Sequence, residues 1–434
     1  MRLIQAGALC VLLSFPAAAE SQTAGMEWPR FRGPNGSGVA VNSSPPLTWD
    51  ETHNLRWKVP LPGPGSSCPI VSGNLVFVTC YTGYGVSSQD IGAMSDLKRH
   101  LICVDRSTGK MLWDKTVPIA APEDRYSFNI AEHGYASNTP ATDGTHVYAF
   151  FGKTGVVAFD MSGNQLWQTS VGTGSSNRRW GSAAGVILYK NLVIVNAADE
   201  SRCIYALDKT TGKEVWKDPG AALELSYCTP AIVDTPGGGA ELVIAVPGYA
   251  WGMDPETGNL HWYASTPLFS NVAPSVLAGS GIVYLTGGFP GSASVAIRTG
   301  GKGNVTKTHT VWQSENGSYI PTPLVHGGYL YWVDAEGSAT CADARTGKLI
   351  YQERLGARYN GKPVYASVVL AGDRIYAVSR SSGTYVFRAG PKFEPLARNQ
   401  LASDTSGFNA TPAIVDNQLL IRSNKCLYCI EAGK

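Results

Sequence analysis

The sequence predicts an all-β fold: an eight-bladed β-propeller of four-stranded antiparallel blades, its ring closed by an N-terminal strand. Three observations carry this. A cassette of short apolar runs recurs with a period in the forties, the length of one propeller blade. An orphan run, Leu55 to Val59, reads as the end of a cassette, while the last copy, Ala410 to Ile430, lacks its end. Glycine accounts for 49 of 434 residues, which fits a chain with many tight turns.

The cassette is clearest from Asn138 to Trp167. It begins Asn138-Thr139-Pro140-Ala141, continues through Val147 to Phe150 and Val156 to Asp160, and closes with Ser162 to Trp167. Copies align on Pro69, Pro140, Ala184, Pro230, Pro274, Pro323, Val368 and Pro412, with spacings of 71, 44, 46, 44, 49, 45 and 44. The long first spacing marks an insertion shared between Tyr81 to His100 and Pro118 to Ala131.

Within each copy an Asp opens a turn and a Gly ends it: Asp105 and Gly109, Asp160 and Gly163, Asp208 and Gly212, Asp254 and Gly258, Asp343 and Gly347. The carboxylate can bond the backbone two residues on, and glycine supplies positive φ. These five acids are turn formers. Trp113, Trp167, Trp216, Trp262, Trp312 and Tyr351 follow at one repeat position, where large apolar surfaces suit packing between blades. The final copy borrows its closing strand, with Trp57, from the start of the chain, which removes exposed sheet edges.

The N-terminus reads as an export signal over residues 1–19: Arg2, an apolar stretch from Leu3 to Phe15, then Ala17-Ala18-Ala19. A spanning helix would need about 20 apolar residues. Residues 20–47 form a Gly/Pro-rich arm in which Trp28 and Phe31 need somewhere to pack, and residues 48–434 form the propeller. The chain is expected outside the cytoplasm, in the periplasm or beyond the cell, as a monomer. Beyond Cys10 there are eight cysteines. Cys80 and Cys103, at strand ends flanking the insertion, are the expected disulfide, and the others suit buried thiols. Cys426 and Cys429 share a strand, where an offset of three puts them on opposite faces.

The Thr-Pro-Ala-Ile-Val start (Thr411 to Val415), the Val-Tyr second strand and the Ala-Leu-Asp-x-x-Thr-Gly-Lys-x-x-Trp ending (Ala206 to Trp216) resemble the PQQ-like β-propeller repeat from about residue 48 to 434. That superfamily includes quinoprotein alcohol dehydrogenases and the envelope protein BamB. The insertion and the Trp28 to Gly38 opening are similar to exported planctomycete-type PQQ-binding-like propellers. The resemblance implies the fold. A quinoprotein would further imply PQQ with calcium, a Glu/Asn/Asp ligand set, an Asp base and often adjacent cysteines. The chain has no Cys-Cys pair and no Cys-x-x-Cys-His, so no catalytic residue is carried over and no cofactor is expected.

Charge supplies a further bound. With 35 Lys+Arg against 33 Asp+Glu, interspersed, nothing argues for nucleic acid. Gly152-Lys153-Thr154 lacks the earlier glycine of a phosphate loop, since position 147 is Val147. The expected ligand-binding residues are those leading into the first strands at the channel mouth: Glu132, His133, Tyr135, Asn138, Trp180, Tyr227, Asn271, Tyr319, Tyr365 and Asn409. Glu132 and His133, near Glu123-Asp124-Arg125, form the cluster with acid–base potential. The reading is a non-catalytic binding or scaffold propeller of the cell envelope, its partner an envelope protein or a small polar ligand. The alternative is a PQQ-dependent oxidoreductase.

Overall fold

The computed structural model describes residues 27–433, so the export-signal reading of residues 1–19 lies outside the described residues. Eight antiparallel sheets surround an axis, each running from a short inner strand to an outer one. Blade 1 comprises Ile70–Ser72, Leu75–Thr82, Lys98–Asp105 and Met111–Pro118; blade 2 comprises Ala141–Thr142, His146–Phe150, Val156–Asp160 and Gln165–Thr169. The inner strands of blades 3 to 7 are Ile187–Tyr189, Ala231–Asp234, Leu277–Gly279, Leu324–His326 and Val369–Ala371. In blade 8, Ala413–Val415, Gln418–Arg422 and Cys426–Ile430 are completed by Leu55–Pro60 from the N-terminal side, with Trp57 opposite Cys429.

Strand pairing fixes where each blade starts. Ile70 faces Phe77, Ile187 faces Ile194, and Leu277 faces Tyr284. The residues equivalent to Pro69 in blades 3 and 5 are therefore Val186 and Val276, two beyond Ala184 and Pro274. Pairing with the second strand sets the start; Pro274 belongs to the incoming loop.

Five closing tryptophans lock neighbouring blades together. The Trp57, Trp113, Trp167, Trp216 and Trp312 indoles donate to the carbonyls of Arg106, Met161, Lys209, Pro255 and Ala344. Each acceptor follows the turn aspartate of the next blade. Each ring also lies on that turn's glycine: a Cβ on Gly212 would come within 2.5 Å of Trp167. The glycine is thus required by the neighbour's indole as well as by its own φ of +69°. The aspartates do what their position predicts; Asp208 accepts from the Thr210 and Thr211 amides.

Trp262 departs from the pattern. Blade 5 has Thr299-Gly300-Gly301 where others have the Asp turn, so no matching carbonyl and glycine are offered. The indole instead lies over Gly252 of its own blade and donates to Glu241 at 3.0 Å. Tyr351 packs on Phe393 of blade 7.

The blade 1 insertion starts as an extension of the blade's strands, since Cys80, Tyr81 and Thr82 pair with His100, Arg99 and Lys98. Its tip and the helix Phe128–His133 share a small core of Tyr81, Tyr84, Leu97, Ile130 and Tyr135. The expected Cys80–Cys103 disulfide is not formed; all eight cysteines from Cys68 onward are free and buried. Cys80 sits opposite His100 while Cys103 sits opposite Phe77. Three residues of register separate the thiols by about 10 Å of strand, beyond disulfide reach.

Candidate functional site

The N-terminal arm crosses the lower end of the channel. Trp28 pairs with Val71 in blade 1, the Thr142 amide donates to the Pro29 carbonyl, and Val39 pairs with Leu370 in blade 7. Between these anchors, Phe31 floors the channel beside Gly185. Arg32 is 1% exposed and donates to the carbonyls of Gly36, Ser37, Thr322, Pro323 and Val368.

Above this floor runs a collar, one residue ahead of each blade start, whose amides bond the hydroxyl of the next blade. Cys68 donates to Thr139 at 3.0 Å, Gly185 to Thr229 at 2.9 Å, and Thr229 to Ser275 at 3.0 Å. Ser275 donates to Thr322, Thr322 to Ser367, and Ser367 to Thr411, each at 2.9 Å. Burial pushes the Cys68 thiol up. The glycine in blade 3 leaves one gap, and Asn138 fills it, its amide reaching Ser182 at 2.8 Å and the Ala184 carbonyl at 2.9 Å.

The collar forms the wall of a blind cup with room for ≈ 200 Å³ of solvent or ligand, its upper wall including Glu132, His133, Trp180, Tyr227, Asn271, Tyr319, Tyr365 and Asn409. Two of the expected mouth residues lie elsewhere. Asn138 is spent on the collar gap. Tyr135 turns under the helix, donates to the Asp124 carbonyl at 2.8 Å and meets Tyr81 edge-on. The insertion folds back on itself there, so proximity in sequence to the blade start does not carry Tyr135 to the axis.

Glu132 and His133, the ionisable side chains named for the mouth, are committed to structure. Glu132 pairs with Arg380 at 2.6 Å, and Arg380 also bonds Asn409 and lies over the rings of Tyr359 and Tyr365. His133 is held by the Trp180 carbonyl at 2.9 Å and the Ser137 hydroxyl at 2.6 Å. A carbonyl only accepts, so Nε2 carries the proton. Burial lowers the His133 pKa below its ordinary value, keeping the ring neutral. Of the acid–base cluster expected from sequence, Glu132 latches the insertion to blade 7 and His133 pins it beside Trp180. Nearby aromatic surfaces remain open: Phe128 is 85% exposed, Phe269 65% and Phe289 49%, with Phe289 packed on Tyr319.

A second buried cluster, missed in the sequence apart from Glu123 and Asp124, lies beneath the helix. Arg99 pairs with Glu123 at 2.6 Å and Lys153 with Asp124 at 3.1 Å, while Asp199 accepts the Ser176 amide at 3.1 Å. Glu200 is 4% exposed and its Oε2 has no partner among the described residues. Burial first, then the adjacent Asp199 carboxylate, push its pKa well above the usual range.

The mouth does not fit a calcium–quinone pair. Its carboxylate, Glu132, is taken by Arg380, and no three His, Cys, Asp or Glu side chains among the described residues converge as ligands. No helix among the described residues is long and apolar enough to cross a membrane.

Comparison with known proteins gives the lineage. The structure is similar to BamB from Moraxella catarrhalis, with a TM-score of 0.59 and 14% identity over 87% of this chain and 97% of that one. A computationally designed protein, Ika8, superimposes at 0.55 over 86% of this chain and 98% of its own. Among sequences, the outer membrane protein assembly factor BamB of Yersinia pestis is 25% identical over 67% of this chain and 82% of its own length. That of Burkholderia pseudomallei is 24% identical over 60% and 67%. The sequence profile of the family described as outer membrane protein assembly factor BamB matches residues 82–224 and 302–403. With more than half its length under that profile and eight blades of the matching repeat, the chain belongs to the BamB family of PQQ-like β-propellers.

Proposed function

We propose that this protein is an exported, non-catalytic binding scaffold of the cell envelope, acting through its channel mouth and rim on an envelope protein. One observation carries the reading. The mouth's ionisable groups are spent on holding the insertion in place, while Phe128, Phe269 and Phe289 present apolar rings to solvent around it. Exposed aromatics on a rigid rim suit recognition, since large amphipathic or aromatic side chains dominate interface energetics. Membership of a family named for outer membrane protein assembly supports the envelope setting.

The test is affinity capture from a detergent-solubilised envelope fraction with wild type and a Phe128→Ser/Phe269→Ser double variant. A discrete partner retained by wild type and lost by the variant supports the reading. Identical recovery with both, or nothing above a tagged control, overturns it.

A further inference from the structure

The axial cup has a chemical bias of its own. The Thr229, Ser275, Thr322 and Ser367 hydroxyls each accept a main-chain N–H from the preceding blade, yet none donates to any acceptor among the described residues. All four are at least nine-tenths buried and face the cup. A hydroxyl has one proton to give, so four donors from consecutive blades converge on one side of the channel without acceptors. Asn271, 2% exposed on the same wall, leaves its amide oxygen unpaired, one acceptor set against these four donors.

Electrostatics point the same way. Arg32, below the collar, bonds only main-chain carbonyls and has no carboxylate within ion-pair distance among the described residues. Arg422 is likewise fully buried without an acidic partner, donating to Ser67 beside the collar. The cup's own carboxylate is neutralised by Arg380. A site walled by free donors and backed by uncompensated guanidinium charge favours an anion with acceptor oxygens. Higher up, the faces of Trp180, Tyr319 and Tyr365 border the space and the lining becomes largely apolar. The room is ≈ 200 Å³, and a cavity of about 150 Å³ accepts benzene.

We propose that the cup binds a single-ring carboxylate, its carboxylate oxygens accepting from the collar hydroxyls above Arg32 and its ring lying among Trp180, Tyr319 and Tyr365. This rests on the mouth being the binding face and names the chemistry it takes. The same group occurs in a free aryl acid and at a polypeptide ending in phenylalanine, and the experiment separates the two.

Calorimetry on the full folded protein uses four probes: phenylacetate, phenylacetamide, N-acetylglycyl-phenylalanine and its C-terminal amide. The expected result is saturable binding of at least one acid, with its amide weaker by about tenfold or more, the loss of a charge-assisted bond. Binding of the peptide acid alone assigns a chain end; binding of phenylacetate as well assigns a free acid. Binding of neither acid, or equal binding of acid and amide, overturns the proposal. Ser367→Ala should weaken the acid by a larger factor than the amide, because the hydroxyl's bond to a carboxylate is charge-assisted. Should that variant melt early, saturation transfer to the ligand ring from aromatic protons, abolished in Trp180→Ala, places the ligand in wild type. Transfer that survives Trp180→Ala counts against the cup. A protein that captures its envelope partner but takes up neither acid keeps the scaffold reading and loses this one.

Discussion

The Arg380 guanidinium of blade 7 meets the Glu132 carboxylate of the blade 1 insertion at 2.6 Å, across the channel mouth. Nothing in blade 7 is adjacent to residue 132 in the chain, so this pair holds the helix Phe128–His133 over the cup. Asn409 strengthens the latch by donating to the Glu132 carbonyl at 2.9 Å while accepting from Arg380.

Removing the latch should loosen the insertion before it loosens the ring. Arg380 is almost fully buried but Glu132 is 40% exposed, which screens the pair. Arg380→Ala is expected to cost about 1–3 kcal/mol, including the lost stacking on Tyr359 and Tyr365. Glu132→Gln should cost less. Amide exchange over residues 128–133 should accelerate in both, more than in the blade strands.

The indole-on-glycine contact gives a paired test. Gly212→Ala must carry positive φ and admit a methyl within 2.5 Å of Trp167, so it should lose about 2–4 kcal/mol. Gly73→Ala also has positive φ, but nothing lies within 4 Å, and about 1 kcal/mol is expected. Similar denaturation midpoints for the two would contradict the inter-blade lock.

Glu200 sets a pH dependence whose sign is opposite to that of a salt-bridged acid. Its folded pKa is raised, so the folded state holds a proton that the unfolded chain releases. Its contribution to stability is full below the unfolded carboxylate range, near 4.3, and declines as pH rises toward the folded value. Glu200→Gln keeps the neutral form at every pH. Its melting temperature should exceed wild type at pH 8 and converge with it at pH 5.

The cysteine arrangement is countable. Native protein purified without reductant should show no thiols to Ellman's reagent, because all eight are buried. Denatured in the same buffer, it should show all eight from Cys68 to Cys429. A Cys80–Cys103 bridge would leave six.

How far the sequence reveals this molecule depends on whether a residue's task repeats. Asp160, Gly163 and Trp167 recur because each blade needs the same turn and the same lock, and the ring closure at Trp57 follows from a piece lacking at the other end. The collar was also legible: Thr139-Pro140, Thr229-Pro230, Thr322-Pro323 and Thr411-Pro412 repeat a hydroxyl beside the proline. Aligning on proline alone hid it and misplaced blades 3 and 5. Single-copy contacts left no such trace. Arg32 reaches Val368 and Arg380 reaches Glu132 across hundreds of residues, and no periodicity encodes either. Tyr135 failed for the related reason that an insertion obeys its own small core.

The closure of blade 8 has a kinetic consequence. Leu55–Pro60 can find its place only when Cys426–Ile430 arrives, some 370 residues later in the chain. Loop-closure entropy grows slowly with length, but contacts this distant in sequence are slow to form. Until the two ends meet, the ring has a seam where Cys426–Ile430 and the unpaired Trp57 strand expose hydrogen-bonding edges. A folding chain is therefore most vulnerable to aggregation and proteolysis in its last step, and agents that shield strand edges should raise the yield of refolded protein.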